Sequence, residues 1–145
     1  MRISFDLDDT LTGYIGAKET GQRGFLAKLK YKEPIRSGTK AVFDGLLSSG
    51  HDVLIYTSSS RAPEYIKAWF RSYGIVVPRV INGEANQHVI KGKPLTKNPD
   101  AFEIDLHFDD ENIVQDASHC LSCRLVVIDP CNADWVQAVF DAVRA

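Results

Sequence analysis

The sequence lacks the features that mark secreted and membrane-spanning proteins. Only 3 of its 145 residues are cysteine, and an odd number in a chain of this length does not suggest a disulfide framework. No apolar run approaches the roughly 20 residues that a membrane span requires. The chain begins on a strand-like segment rather than on an apolar signal segment. We therefore expect a cytoplasmic protein with no membrane partner.

An excess of charge of either sign is also absent. The 17 basic and 19 acidic residues give a formal net charge of −2, so binding to nucleic acid is not indicated. Hydrophobic residues make up 44% of the chain and charged residues 25%, which is an ordinary globular balance. The length predicts a single domain over residues 1–145 that can bury a core without disulfides or a structural metal.

Strand-like apolar segments alternate with helical patterns along the chain. The five predicted strands lie within residues 2–6, 52–56, 75–81, 103–108 and 125–129. This alternation predicts an α/β fold, specifically a three-layer Rossmann-like sandwich with a central, mainly parallel five-stranded sheet and no cap domain. Two further expectations concern the connections: residues 82–100 are predicted to be mostly loop, and residues 112–119 to form a short helix. The apolar run 125–129 predicts a strand buried on both faces.

Polar, reactive side chains follow three of the predicted strands. They are Asp6 and Asp8 after the first, Thr57 and Ser58 after the second, and Asp109 and Asp110 after the fourth. In parallel sheets the chemistry lies beyond the carboxyl ends of the strands. We therefore expect these groups, which are far apart in sequence, to meet at one edge of the sheet.

The carboxylates in this set suit a magnesium-dependent attack on a phosphate ester. Asp6, Asp109 and Asp110 supply the hard oxygen ligands that Mg²⁺ prefers. A bound Mg²⁺ would reduce the repulsion between an attacking carboxylate and a phosphate dianion. Asp8 can protonate the leaving oxygen and later deprotonate the water that opens an aspartyl-phosphate.

The remaining polar groups suit phosphate binding. Thr57, Ser58 and the cation of Lys97 are the candidate ligands for the phosphoryl oxygens. Ser58 is equally suited to capping the helix that we predict to begin near Pro63. Lys93 lies in the same loop as Lys97 and is the alternative to it.

Four segments resemble the sequence motifs of the haloacid dehalogenase-like superfamily of hydrolases. Asp-Leu-Asp-Asp-Thr at residues 6–10 matches the first motif, and residues 54–57 resemble the second, an apolar strand that ends in Thr or Ser. Lys97 is similar to the lysine of the third motif, and Phe-Asp-Asp at residues 108–110 resembles the fourth. The segments occur in the family's order.

The resemblance implies roles that the residues alone do not assign. Asp6 would form the aspartyl-phosphate, and the backbone carbonyl of Asp8 would bind Mg²⁺. Asp110 would bind the metal directly, and Asp109 directly or through water. Residues 11–36 would form the squiggle-and-flap region beside the site, a segment too short for a large cap. A capless site would admit a large substrate or be covered by a second subunit in a homo-oligomer.

The expected function is therefore a Mg²⁺-dependent phosphomonoester hydrolase that acts on a phosphorylated substrate of unknown size. A phosphotransferase, or a phosphatase of nucleotides or polynucleotide ends, would use the same chemistry. A non-catalytic phosphate-binding module is the third alternative.

Two other features are assigned no function at this stage. Arg61 is expected to be a solvated arginine at the start of a helix, with a contact to substrate as the alternative. Cys120 and Cys123 have a spacing that zinc accepts, but the predicted strand between Cys123 and Cys131 would place those two cysteines near its opposite ends. We therefore do not expect a zinc site.

Overall fold

The computed structural model describes residues 1–13 and 16–145. The strands are β1 (Arg2–Phe5), β2 (Asp52–Tyr56), β3 (Arg79–Ile81), β4 (Leu106–Asp109) and β5 (Arg124–Val127). The helices are α1 (Phe25–Lys30), α2 (Thr39–Ser48), α3 (Pro63–Arg71), α4 (Gly83–Ile90) and α5 (Trp135–Arg144), with a short 3-10 helix at Pro99–Phe102. Among these described elements, no helix combines the length and the apolar character needed to cross a bilayer.

The five strands form one parallel sheet in the order β3-β2-β1-β4-β5. In the centre of the sheet Ile3 aligns with Val53 on β2 and with Leu106 on β4. The predicted α/β class with its five-stranded parallel sheet is therefore confirmed. The chain runs outward from β1 through β2 to β3 and then returns to β4 on the other side of β1. The gap between β1 and β4 is thus a topological switch point, where ligands bind in open sheets of this type.

Side-chain alternation along the strands gives the sheet two buried faces. Phe5 and Ile55 belong to the larger core, which also contains side chains of α2, α3 and α5. Leu54 and Tyr56 belong to a smaller core on the opposite face, beside Ala85 of α4 and the 3-10 helix. A parallel sheet needs such cover on both faces, because its connections are helices that pack back onto it. The result is the predicted three-layer arrangement.

The prediction that residues 82–100 are mostly loop is wrong, because they contain α4. Asn82 caps this helix, and its side-chain oxygen accepts a hydrogen bond from the Ala85 backbone N–H at 3.3 Å. The helix also buries Asn86, whose side chain contacts the Tyr56 hydroxyl and donates to the Thr96 carbonyl at 2.8 Å. The helix is thus partly held by polar tertiary contacts rather than by an apolar stripe, so the hydrophobic pattern did not indicate it.

Three further local predictions differ from the structure; they concern the two edge strands, β3 and β5, and the connection between β4 and β5. The third strand is limited to Arg79–Ile81 instead of beginning at residue 75. Residues 112–119 form no helix; there the Thr96 N–H donates to the Ile113 carbonyl at 3.0 Å, beside an isolated bridge between Leu95 and Val114. The last strand is an edge strand with half-buried and exposed positions, so its apolar run does not mean burial on both faces.

The predicted flap, residues 11–36, connects β1 to α2. Residues 14 and 15 of this segment lie outside the described residues. The described part contains only the six-residue α1, and Phe25, Leu26 and Leu29 on this helix are exposed. Within the described ranges, this segment therefore contributes no separate domain.

Gly83 allows the first turn of α4 to approach the loop that follows β2. Its backbone N–H donates to the Ser59 carbonyl at 2.7 Å. A Cβ atom at this position would lie 2.2 Å from the Ser58 carbonyl oxygen, a backbone atom that cannot move independently of the loop. Glycine is required here for close approach of two backbones.

We predict that Gly83→Ala lowers the free energy of unfolding by about 1–3 kcal/mol, the usual range for overpacking a well-packed site. Gly24→Ala is the matched control, because a Cβ at Gly24 meets no atom within 4 Å and the backbone φ there is −60°. The control should be neutral or stabilising by less than about 1 kcal/mol. Urea unfolding of both variants checks this, and equal stability of the two would contradict the steric account.

Candidate active site

A buried lysine joins two aspartates at the switch point of the sheet. Lys97 Nζ lies 2.6 Å from Asp6 Oδ1 and 2.6 Å from Asp109 Oδ2. The side chains of all three residues are only 6–7% exposed. Asp6 directly follows β1, and its backbone N–H donates to the Phe108 carbonyl at 2.8 Å. This bond continues the β1–β4 pairing past the end of β1 and so fixes Asp6 beside Asp109.

A second group of hydrogen bonds holds Asp109 from the strand side. His107 Nε2 lies 3.0 Å from Asp109 Oδ2, and His107 Nδ1 lies 2.7 Å from the Ser4 hydroxyl oxygen. His107 and Asp109 are two residues apart on β4 and therefore point to the same face. The Asp109 carboxylate also accepts the Glu111 backbone N–H at 3.1 Å. The Asp109 carboxylate thus has three partners, Lys97, His107 and the Glu111 N–H, rather than Lys97 alone.

Asp110 completes a cluster of three carboxylates. One oxygen from each of Asp6, Asp109 and Asp110 lies within 4.8 Å of the other two. The Thr10 hydroxyl lies 3.4 Å from Asp110 Oδ1, so the end of the 6–10 segment contacts the end of β4. Three carboxyl groups therefore share the single positive charge of Lys97 at this point of the sheet.

The surroundings of these groups shift their pKa values in opposite directions. Burial raises the pKa of Asp6 to about 7 against the opposing charge of Lys97, and the negative charge of Asp109 adds to the rise. Burial and the charge of Asp109 raise the pKa of Asp110 to about 6. Burial alone would raise the pKa of Asp109 as well, but the His107 hydrogen bond and the Lys97 charge hold it well below its usual range. The cluster therefore contains one firmly ionised carboxylate and two that resist ionisation without a further cation.

The donor set fits Mg²⁺. All the candidate ligands are carboxylate oxygens, which this hard cation prefers. Burial first, and then the negative charge of Asp109, raise the pKa values of Asp6 and Asp110, and a divalent ion would favour the ionised forms of both. Asp6, Asp109 and Asp110 are the side chains that would hold it. The Asp8 side chain lies outside this cluster, and a role for its backbone carbonyl stays a prediction.

Asp8 lies on the rim of the same site. A cleft of about 230 Å³ is lined by the carboxylate cluster together with Asp8, Asp9, Ser58, Thr96, Lys97, Glu111 and Ile113. The Asp8 side chain is 47% exposed and lies 2.9 Å from Arg61 Nη1. Asp8 is thus widely open to solvent, whereas the Asp6 side chain reaches the cleft with only 7% of its surface exposed.

The two predicted hydroxyl ligands differ in their position. Ser58 is exposed and lines the cleft. Thr57 is fully buried, and its Oγ1 accepts the Ser59 backbone N–H at 3.0 Å. Thr57 therefore stabilises the loop after β2 in the described arrangement, and only Ser58 faces the cleft.

The structure distinguishes between the alternatives that the sequence left open. Lys97 contacts the carboxylates, whereas Lys93 is exposed. The expectation that Arg61 is a solvated helix-start arginine is wrong, because it pairs with Asp8 and Glu33. The position of Arg61 in the sequence does not indicate these contacts, because both partners lie far from it along the chain and are brought close by the packing of the flap.

The role of His107 was only partly visible in the sequence. The two-residue spacing of His107 from Asp109 in a strand-like segment is the signal that places both side chains on one face. Among the described residues, the cysteines belong to no cluster of potential metal ligands.

Comparison of the chain with protein-family models, with curated proteins and with solved structures finds no match. The geometry of the site therefore has to carry the functional argument.

We predict that Lys97→Met lowers the free energy of unfolding by about 3–5 kcal/mol at pH 8, because it leaves buried carboxylates without their cation. The loss should be smaller at pH 5. Without Lys97 the pKa of Asp6 rises further above 7, so the folded variant retains a proton that the unfolded chain releases, and its stability falls as the pH rises. Lys93→Met, at an exposed position, is the control and should change stability by less than about 0.5 kcal/mol. Urea unfolding at both pH values tests this, and an equal loss at pH 5 and pH 8 would refute the charge argument.

We also predict that Mg²⁺ binds more weakly as the pH falls, because the metal and the protons compete for the same oxygens. With a pKa of about 7 for Asp6 and about 6 for Asp110, the affinity should fall by about 20-fold between pH 8 and pH 6, where the proton occupies most of Asp6 and half of Asp110. Isothermal titration calorimetry in buffers of different ionisation enthalpy measures both the affinity and the released protons. An affinity that does not change over this range would contradict the assignment of these ligands.

Proposed function

We propose that the protein is a Mg²⁺-dependent phosphomonoester hydrolase of the haloacid dehalogenase-like type, with Asp6 as the nucleophile. One observation carries the proposal. Lys97 joins Asp6 to Asp109 at the switch point of the parallel sheet, with Asp110 in ligand range. Three separate parts of the chain, which are the segments that resemble the family's motifs, contribute to this group. A solvated acidic loop leaves its carboxylates in water, whereas these carboxylates are buried around a lysine from another segment.

In the first half of the proposed reaction, an oxygen of the Asp6 carboxylate attacks the phosphorus of the ester. The new bond joins Asp6 to phosphorus, and the bond from phosphorus to the ester oxygen breaks with its electron pair going to that oxygen. The protonated Asp8 carboxyl gives its proton to the leaving oxygen, so the alcohol departs neutral. The products are an aspartyl-phosphate at Asp6 and an ionised Asp8.

In the second half, a water molecule attacks the phosphorus of the aspartyl-phosphate. The Asp8 carboxylate takes a proton from this water, and the bond between phosphorus and Asp6 breaks with its electron pair returning to the Asp6 carboxylate. Inorganic phosphate leaves, and both aspartates return to their starting states. The sum is the hydrolysis of one phosphomonoester by one water molecule.

The other residues neutralise charge around these steps. Bound Mg²⁺ would supply a positive charge that reduces the repulsion between Asp6 and the phosphate dianion. Lys97 is close enough to Asp6 to stabilise the charge that develops on the transferred phosphoryl group, and Ser58 offers a hydroxyl to the same cleft.

The exposure of the rim favours water as the acceptor over a second substrate. Asp8 is almost half exposed and lines an open cleft, so water reaches the group that would activate it. A phosphotransferase would need to exclude water from this position. The presence of both Asp6 and Asp8 argues against a non-catalytic phosphate-binding module, which has no use for a proton-transfer group.

We predict that the purified protein releases phosphate from phosphomonoesters in the presence of Mg²⁺ and not in EDTA. Asp6→Asn should lower turnover by at least about 10³-fold, because it removes the nucleophile. Asp116→Asn is the control: Asp116 is exposed, its hydrogen bond to the Ser118 N–H is one that asparagine can keep, and activity should not change. Mass spectrometry of the acid-quenched wild-type protein should locate a phosphoryl group on Asp6.

The proposal is wrong if no phosphoester in a panel of metabolites, nucleotides and phosphopeptides is hydrolysed with Mg²⁺. Transfer of the phosphoryl group to an added alcohol in preference to water would instead identify a phosphotransferase.

A further inference from the structure

The Arg61 guanidinium contacts two carboxylates at the rim of the site. Its Nη1 lies 2.9 Å from Asp8 Oδ1, and its Nη2 lies 3.0 Å from Glu33 Oε2. The guanidinium thus bridges the proposed acid/base to a carboxylate of the flap. Because guanidinium donors have a fixed planar geometry, a bridge of this kind restricts the orientation of both partners.

The Arg61 side chain is itself held from two other directions. The Ser59 hydroxyl lies 3.2 Å from Nη1, and the guanidinium carbon lies 5.8 Å from the centre of the Trp69 ring, in the range of a cation–π contact. The Trp69 indole N–H in turn donates to the Glu33 backbone carbonyl at 3.1 Å. The aromatic ring thus fixes both the arginine and the flap residue that the arginine contacts.

The backbone of Arg61 is anchored as well. Its carbonyl accepts the Asn82 side-chain amide at 3.2 Å, and its N–H donates to the Ser59 hydroxyl at 3.3 Å. Asn82 also caps α4. The loop after β2, α3 and the cap of α4 therefore set the position of Arg61 together. A side chain anchored in this way restricts the orientation of the carboxylate that it contacts.

Asp8 needs such a partner. Its side chain is 47% exposed, and an exposed aspartate samples several rotamers unless a neighbour selects one. Proton transfer requires the carboxyl oxygen to lie within hydrogen-bond reach of the leaving oxygen. In the described residues, the only salt bridge of the Asp8 side chain is the one to Arg61.

We propose that Arg61 is a positioning residue that orients Asp8 for proton transfer, an inference that rests on the proposed hydrolase function. Its side-chain hydrogen bonds and salt bridges in the described residues reach Asp8, Ser59 and Glu33 and no member of the carboxylate cluster, so its effect on the reaction would pass through Asp8. Glu33 holds the second guanidinium nitrogen and thereby keeps Arg61 directed at the rim. The flap, α3 and the proton-transfer group form one connected unit.

The test compares two substrates that differ in their need for an acid. The leaving group of p-nitrophenyl phosphate is a stable phenolate that departs without a proton, whereas benzyl phosphate releases an alkoxide that must be protonated. For Arg61→Met, we expect kcat/KM for benzyl phosphate to fall by about 30-fold or more, within the range that general acid catalysis contributes, and kcat/KM for p-nitrophenyl phosphate to fall by less than about 5-fold. Arg71→Met, at an exposed position at the end of α3, is the matched control and should leave both values unchanged.

A double-mutant cycle shows whether Arg61 acts through Asp8. Asp8→Asn should produce the same substrate-dependent loss, and adding Arg61→Met to Asp8→Asn should cost less than about 2-fold more, because residues that act as a unit are not additive. Added guanidinium should restore part of the benzyl phosphate activity of Arg61→Ala, and Arg61→Lys should fall between the wild type and Arg61→Met. If Arg61→Met does not fold, Glu33→Gln is the milder variant: it weakens the second guanidinium contact and should cause a smaller loss that is still greater for benzyl phosphate than for p-nitrophenyl phosphate.

Equal losses with the two substrates, expressed mainly in KM, would overturn the inference and would instead make Arg61 a direct phosphate ligand. Additive effects in the double-mutant cycle would also overturn it. If the wild-type protein hydrolyses no phosphoester with Mg²⁺, both the proposed function and this inference are wrong. Wild-type activity with no change in Arg61→Met removes only the inference.

Discussion

The ammonium group of Lys97 between the carboxylates of Asp6 and Asp109 is the interaction on which the rest of the site depends. A charged group buried to this extent has to be paired, because leaving one partner alone costs several kcal/mol. The pairing therefore fixes the end of β1, the end of β4 and the segment before the 3-10 helix in one place. The Asp6 backbone bond to the Phe108 carbonyl and the His107 bond to Asp109 hold the ends of β1 and β4 from the sheet side.

A second network surrounds the exposed half of the site and has a different physical character. Asp8, Arg61 and Glu33 form a chain of contacts at the surface, where water screens the charges and no single ion pair contributes much to stability. The buried Trp69 anchors this chain from below through its indole N–H. The value of such contacts lies in orientation rather than in energy. Buried carboxylates can be kept close to a metal and a phosphate, whereas a group that exchanges protons with water needs access to solvent. The division between the buried cluster and the rim matches these two requirements.

The parts of the fold that the sequence predicts well are those governed by local periodicity. The apolar run at residues 52–56 matches β2, and Pro63 marks the first turn of α3, because strand alternation and helix-start chemistry are local. The helix α4 was missed because Asn86 makes its contacts with Tyr56 and Thr96, which are separated from it along the chain. The run at residues 125–129 was assigned to the sheet interior, although β5 lies at the edge, since the sequence does not state which strand has a neighbour on both sides.

The candidate site divides in the same way. The sequence by itself determined that aspartates follow the predicted strands, because an apolar run followed by aspartate is a local pattern. It also determined that they meet, because parallel strands end at a common edge. Only the tertiary structure decided that Lys97 rather than Lys93 enters the cluster, that Thr57 faces the loop and Ser58 the cleft, and that Arg61 reaches Asp8. These choices depend on distances of a few ångströms between segments far apart in the chain. Such distances are set by packing and by the pairing of buried charge, neither of which has a local signature.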